Sequence, residues 1–80
     1  MKNKIITLNK LHLGEKGVVK SLTSGGVIRR RMLDLGLIYG TVVEALQKSP
    51  SGDPVAYYIR GAVIALRSED SSKVLIEIID

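Results

Sequence analysis

Ile28-Arg29-Arg30-Arg31-Met32-Leu33-Asp34-Leu35-Gly36-Leu37-Ile38-Tyr39-Gly40-Thr41 is the stretch on which the fold turns. Ile28, Met32 and Leu35 recur at i, i+4 and i+7 and line one face of a short helix, predicted over about residues 26–35. Arg29, Arg30 and Arg31 fall on its other faces and give it a cationic outer surface. Gly36 stands where a left-handed cap is wanted, because a side chain there would be strained. Gly40 supplies a second turn position before the β-branched run Thr41-Val42-Val43. Upstream, Thr23-Ser24-Gly25-Gly26 breaks the preceding segment, and Ser24 is the expected N-cap of the helix. Arg31 and Asp34 fit an i, i+3 surface pair.

Outward from this unit the chain reads as five short strands. Gly14 and Gly17 bracket a turn, and Val18 to Leu22 forms the first strand. Its inward face stays open between Val18 with Leu22 and Val19. Leu8, Leu11 and Leu13 belong to a packed turn that feeds it. Thr41 to Leu46 is the second strand, followed by the Ser-, Gly- and Pro-containing loop Lys48 to Pro54. Pro54 pushes Asp53 into an extended conformation, so the third strand starts there, with Val55, Tyr57 and Ile59 on its apolar side. Gly61 allows a tight reversal or bulge into Ala62 to Leu66, where Ala62, Ile64 and Leu66 share a face. Ser68 to Ser72 can form one capped helical turn whose start is favoured by Glu69 and Asp70. Val74 to Ile79 closes the chain as the fifth strand. Five strands, glycine turns and one helix point to a small, mainly β, partly open barrel.

Composition narrows the function. Eighty residues form one domain, 1–80, which buries only roughly 60% of its unfolded surface. There is no cysteine, so neither disulfides nor a thiolate metal cage can reinforce the core. No run of about 20 apolar residues spans a membrane. The basic start Met1-Lys2-Asn3-Lys4 lacks the apolar region and cleavage site of a leader, so a cytoplasmic domain is expected. Residues 1–31 hold eight Lys/Arg against Glu15, whereas residues 32–80 hold four against seven Asp/Glu. The basic first third can steer toward an acidic partner, unless neighbouring strands mix these charges on one surface.

His12 is the sole histidine, and no acid, base or nucleophile is placed for catalysis, so no enzyme activity and no cofactor are expected. Asp53, Glu69 and Asp70 are the only candidates for an oxygen-ligand metal site, and they lack a calcium-loop pattern. Arg29, Arg30 and Arg31 admit three roles: a solvated face, a protein contact, or phosphate contacts in line with a pI of about 9.6. Three tyrosines with no Phe or Trp make a poor stacking platform for nucleic acid. Tyr39 on its turn either covers the core or waits for a partner. Tyr58, on the opposite side of its strand from Tyr57, is a second candidate for exposed apolar surface.

With these residues laid out, the chain resembles the FeoA family of small bacterial proteins. The resemblance rests on Leu8-x-x-Leu11-x-x-Gly14 with Gly17-Val18-Val19, then Arg30-Arg31-Met32-Leu33-Asp34-Leu35-Gly36-Leu37 with Gly40-Thr41. Pro50-x-Gly52-Asp53-Pro54, Arg60-Gly61-x-x-Ile64-Ala65-Leu66-Arg67 and the apolar strand from Val74 continue it. It implies an SH3-like barrel and support of ferrous iron uptake through the membrane transporter FeoB, bound at its cytoplasmic GTP-binding region. Activator, assembly factor and GTPase modulator all fit that role. It also implies kinship with the C-terminal, metal-linked domain of DtxR-type repressors, but no DNA-binding helix-turn-helix precedes it here. Binding of nucleic acid by a basic barrel is the alternative. The partner surface expected on this chain is Arg29, Arg30, Arg31, Tyr39 and Tyr58. Three positions depart from the family's habit: Tyr39 replaces a frequent proline, Asp70 a small apolar residue, and His12 falls at a variable site.

Overall fold

In a computed structural model the described residues are 4–79; the basic start Met1-Lys2-Asn3 and Asp80 lie outside them. Six antiparallel strands form one sheet, two short α-helices flank it, and a 3-10 turn spans Leu8–Lys10. In chain order they are β1 (Ile5–Thr7), β2 (Lys16–Leu22), α1 (Gly26–Asp34), β3 (Val42–Lys48), β4 (Val55–Ile59), β5 (Ala62–Leu66), α2 (Ser68–Ser71) and β6 (Val74–Ile79). The strand order is β1-β6-β2-β3-β4-β5, so β1 and β5 are edges and the barrel is not closed. The mainly β, partly open architecture agrees with expectation, with six strands in place of five. The additional one, Ile5–Thr7, gains its strand character by pairing with β6, Ile6 opposite Ile76.

The decisive unit folds as its residues dictate. Gly36 has φ +101°, its N–H bonds to the Leu33 carbonyl at 2.9 Å, and the Leu37 N–H bonds to the Met32 carbonyl at 3.1 Å. This is a Schellman cap, and its usual apolar clasp is the pair Met32 and Leu37, both 0% exposed. Met32 is the true anchor of α1. Leu35 packs against the core, while Ile28 stays 39% exposed. A turn follows, closed by Thr41 N–H on the Ile38 carbonyl at 3.1 Å, with Gly40 at φ +90°. Reciprocal bonds between Val19 and Gly40–Thr41, at 2.8 and 2.9 Å, clamp this turn to β2.

Two local expectations need correction. Ser24 does not cap α1: the N-cap is Gly25, and Gly26 at φ +61° turns the chain one step later, leaving the Ser24 hydroxyl buried without a partner among the described residues. Gly17 is not a turn residue but lies within β2, where a β-carbon would stand 2.6 Å from the Ile76 Cδ1. The ambiguity in β2 has a physical resolution. A register shift between Val19 and Ser21 lets Val19 fill the core while Leu22, three residues on, packs against it as well.

The core joins Leu8 and Leu11 of the N-terminal turn to inward residues of the sheet, among them Val43, Ala45, Tyr57, Ile59 and Ile76. Tyr57 is 1% exposed, and its hydroxyl donates to the Leu8 carbonyl at 3.5 Å. Burial pushes the Tyr57 phenol above its ordinary value of 10.0. The unfolded chain therefore loses this proton first, so the stabilisation is complete below pH 10 and drains away as pH climbs further. Alkaline titration of stability should show this fall, and Tyr57→Phe should flatten it. An equally steep fall in the variant would exclude Tyr57 as its source.

Candidate partner-binding surface

The three arginines of α1 are all exposed but not equivalent. Arg29 reaches back to donate from Nη1 to the Leu22 carbonyl at 3.4 Å. Arg31 does not pair with Asp34. Its Nη2 lies 3.0 Å from Oδ2 of Asp70, which ties α1 to α2. The unusual acid at position 70 is thus explained: its side chain is 12% exposed and its charge is met by that of Arg31, itself 62% exposed. Arg30 has no hydrogen bond or ion pair among the described residues.

The half-wet Arg31–Asp70 pair should be worth no more than about 1 kcal/mol. Its loss should nevertheless be asymmetric, because Arg31→Ala strands a largely buried carboxylate whereas Asp70→Ala leaves a cation free to hydrate. In urea unfolding Arg31→Ala should be the more destabilising of the two. The reverse order would show that Asp70 draws its support from elsewhere.

Tyr39 sits at the tip of the turn, 73% exposed, so it does not cover the core. The Lys20 ammonium lies 5.2 Å from its ring centroid and 3.1 Å from Oε1 of Glu77 on the adjacent strand. Hydrogen bonding and attraction to the Glu77 carboxylate hold the Lys20 ammonium above its ordinary range. Tyr58 points out from β4, 46% exposed, opposite Glu44 on one side and Val63 on the other.

Three adjoining depressions connect these side chains. The first runs between α1 and β2 and brings Arg29, Lys20, Leu33 and Tyr39 together. The second, of about 370 Å³, is lined by Ile38, Tyr39, Val42 and Arg60. The third shares Val42 and Arg60 with it and adds Lys16 and Tyr58. Arg29, Tyr39 and Tyr58 are therefore connected along one surface, whereas Arg31 is turned toward α2. The residue that connects the tyrosines is Arg60, which sequence reasoning passed over. Its signal was the Arg60-Gly61 pair between two strands: with φ +47° and +84° the two residues make a two-residue hairpin turn. The aliphatic stem of Arg60 then lies across Gly36.

Charge is mixed between strands as well as concentrated. Lys16 faces Glu44 in register, Lys20 meets Glu77, and Arg31 meets Asp70. Of the carboxylates considered for a metal, Asp53 caps α2 by accepting the Ser68 N–H at 2.8 Å, and Asp70 is committed to Arg31. Among the described residues no three His, Cys, Asp or Glu side chains are grouped to hold an ion. Among the described residues no helix is long and apolar enough to cross a membrane.

Comparison with known proteins adds to this geometry. The sequence model of the FeoA domain matches residues 6–78. A Porphyromonas gingivalis protein named as a fusion of Fe(2+) transport protein A with the Fe(2+) transporter FeoB is 36% identical over 72 residues. That match takes in 90% of this chain but only 8% of the relative's length. The FeoA-like protein of Clostridium acetobutylicum superposes with a TM-score of 0.88 at 31% identity, covering 100% of this chain and 92% of that one. The FeoA of Stenotrophomonas maltophilia, solved in complex with zinc and described as a prokaryotic SH3 domain protein, superposes with a TM-score of 0.80 at 29% identity. The coverage there is 89% and 88%. The open six-stranded sheet is accordingly SH3-like.

Proposed function

This chain belongs to the FeoA family, accessories of ferrous iron transport, and we propose that it works in the cytoplasm by docking on the GTP-binding region of FeoB and modulating that transporter. The contact surface in this proposal is Arg29, Arg30, Arg31, Tyr39 and Tyr58, extended by Arg60 and Val42. The observation that carries it is the continuous exposed tract from Arg29 past Tyr39 to Tyr58, in which Ile38, Val42 and the two tyrosines are interspersed with Lys20, Arg29, Arg60 and Lys16. Such a mixture of tyrosine and arginine suits a protein contact, since these residues supply most interface anchors. The relative in which the two proteins share one chain supports the choice of partner.

The test is calorimetric or NMR titration of this domain with the soluble cytoplasmic region of FeoB, with and without a GTP analogue. Arg30→Ala and Tyr39→Ala remove side chains with no buried contacts, so folding should be unaffected. Loss of either, if it is an anchor, should weaken binding by about 2 kcal/mol, whereas a solvated side chain would cost almost nothing. The triple change Arg29→Ala, Arg30→Ala, Arg31→Ala should weaken it further. Unchanged affinity in all of these variants would reject the surface. Steep, log-linear loss of binding to an arbitrary oligonucleotide as salt rises would instead favour a nucleic-acid ligand.

A further inference from the structure

We propose that the outer edge of β5 is a strand-docking site for an extended apolar segment of another protein that carries acidic residues at both ends. Of the two sheet edges, β1 is only three residues long, whereas β5 has five. Its sequence, Ala62-Val63-Ile64-Ala65-Leu66, contains no charge, proline or glycine, and it pairs with β4 without a bulge. Ile59 and Ala62 close the two-residue turn and form a hydrogen-bonded pair, so alternation aims the N–H and C=O groups of Val63 and Ala65 away from β4. No turn, loop or side-chain hydrogen bond among the described residues occupies them.

Edges of this kind are normally blunted by lysine, proline, a bulge or a covering element. β5 has none of these devices. The outer surface beside it is apolar as well: Val63 is 66% exposed, next to Tyr58 on β4. Main-chain bonds from an added strand would satisfy the open groups, and its alternate side chains would extend the Tyr58–Val63 row.

Charge decides the occupant. Exposed Arg60 precedes the strand and exposed Arg67 follows it, and neither is in an ion pair among the described residues. A second copy laid antiparallel about Ile64 would set Arg67 opposite Gly61, beside Arg60 of that copy, so like charges would meet at both ends. A segment flanked by carboxylates would meet Arg60 and Arg67 with opposite charge.

This inference takes its biological meaning from the protein-binding reading above, but its test needs no transporter. The isotope-labelled domain is titrated with the blocked peptide Glu-Val-Thr-Val-Thr-Glu and with the same peptide ending in lysines. Amide shifts and slowed hydrogen exchange should concentrate at Val63 and Ala65, with the lysine-ended peptide about tenfold weaker. Val63→Pro, which deletes an outward N–H while sparing the bonds to β4, should abolish binding, and Arg67→Glu, which sets a carboxylate against the acid-ended peptide, should weaken it about tenfold. Arg67→Glu carries the test if the proline variant does not fold. Arg30→Ala should bind the peptide as before, so failure of the FeoB contact and failure of the edge are told apart. Shifts confined to other surfaces, or full binding by Arg67→Glu, would overturn the proposal. Sedimentation showing a dimer that Ala65→Lys dissolves would overturn the choice of occupant in favour of a second copy.

Discussion

Met32→Ala is expected to cost this domain about 3 kcal/mol or more of folding stability. Met32 is 0% exposed and is the one fully buried residue of α1. It also forms the apolar clasp of the cap with Leu37. Truncation would lose the transfer free energy of its side chain and leave a cavity under a helix too short to stand alone. Domains of this size hold only about 4–12 kcal/mol in all, so the loss would be visible in thermal unfolding and in the midpoint of a urea transition. Ile28→Ala is the control. It lies on the same helix face, but Ile28 is 39% exposed, so its change should stay below about 1 kcal/mol. Equal effects of the two substitutions would mean that the helix is held by its whole face and not by one anchor.

Gly36→Ala should be nearly as damaging, for two separable reasons. At φ +101° an L side chain is strained by about 1–3 kcal/mol. In addition, the new β-carbon would run into Cδ and Cγ of Arg60. Gly14→Ala isolates the first cause, because Gly14 has a similar φ of +89° and nothing within 4 Å of the added carbon. The excess of Gly36→Ala over Gly14→Ala then measures the second. That excess should shrink when Arg60 is also replaced by alanine, since only the contact is relieved. If it survives in the Arg60→Ala background, the collision is not its origin. A displaced Arg60 would also disturb the depression that joins Tyr39 to Tyr58, so Gly36→Ala should impair any partner contact made there even at temperatures where the fold persists.

Much of this was legible in the residues. The spacing of Ile28, Met32 and Leu35 placed the helix, and Gly36 and Gly40 placed its cap and the turn beyond it. Alternation assigned Val55, Tyr57 and Ile59 to one side of β4, and Tyr58 to the other. The arginine run was seen as cationic surface, although only the structure distinguishes Arg30 from its neighbours. Arg60 was passed over because its importance lies in a neighbour 24 positions away: its stem rests on Gly36, and no local pattern records that contact.

Local chemistry by itself determined the mainly β architecture, the helix with its left-handed stop, and the placing of Tyr58 on the face of its strand opposite Tyr57. These depend on backbone sterics and on periodicities of 2 and 3.6, which act over a few residues. The exposure of Tyr39, by contrast, was settled only in the folded chain. Tertiary structure alone decided that Ile5–Thr7 is a strand, that β2 shifts register so both Val19 and Leu22 reach the core, and that Arg31 answers Asp70 rather than Asp34. Each of those outcomes requires a group from a distant part of the chain, and its free energy exists only once folding has brought the two together.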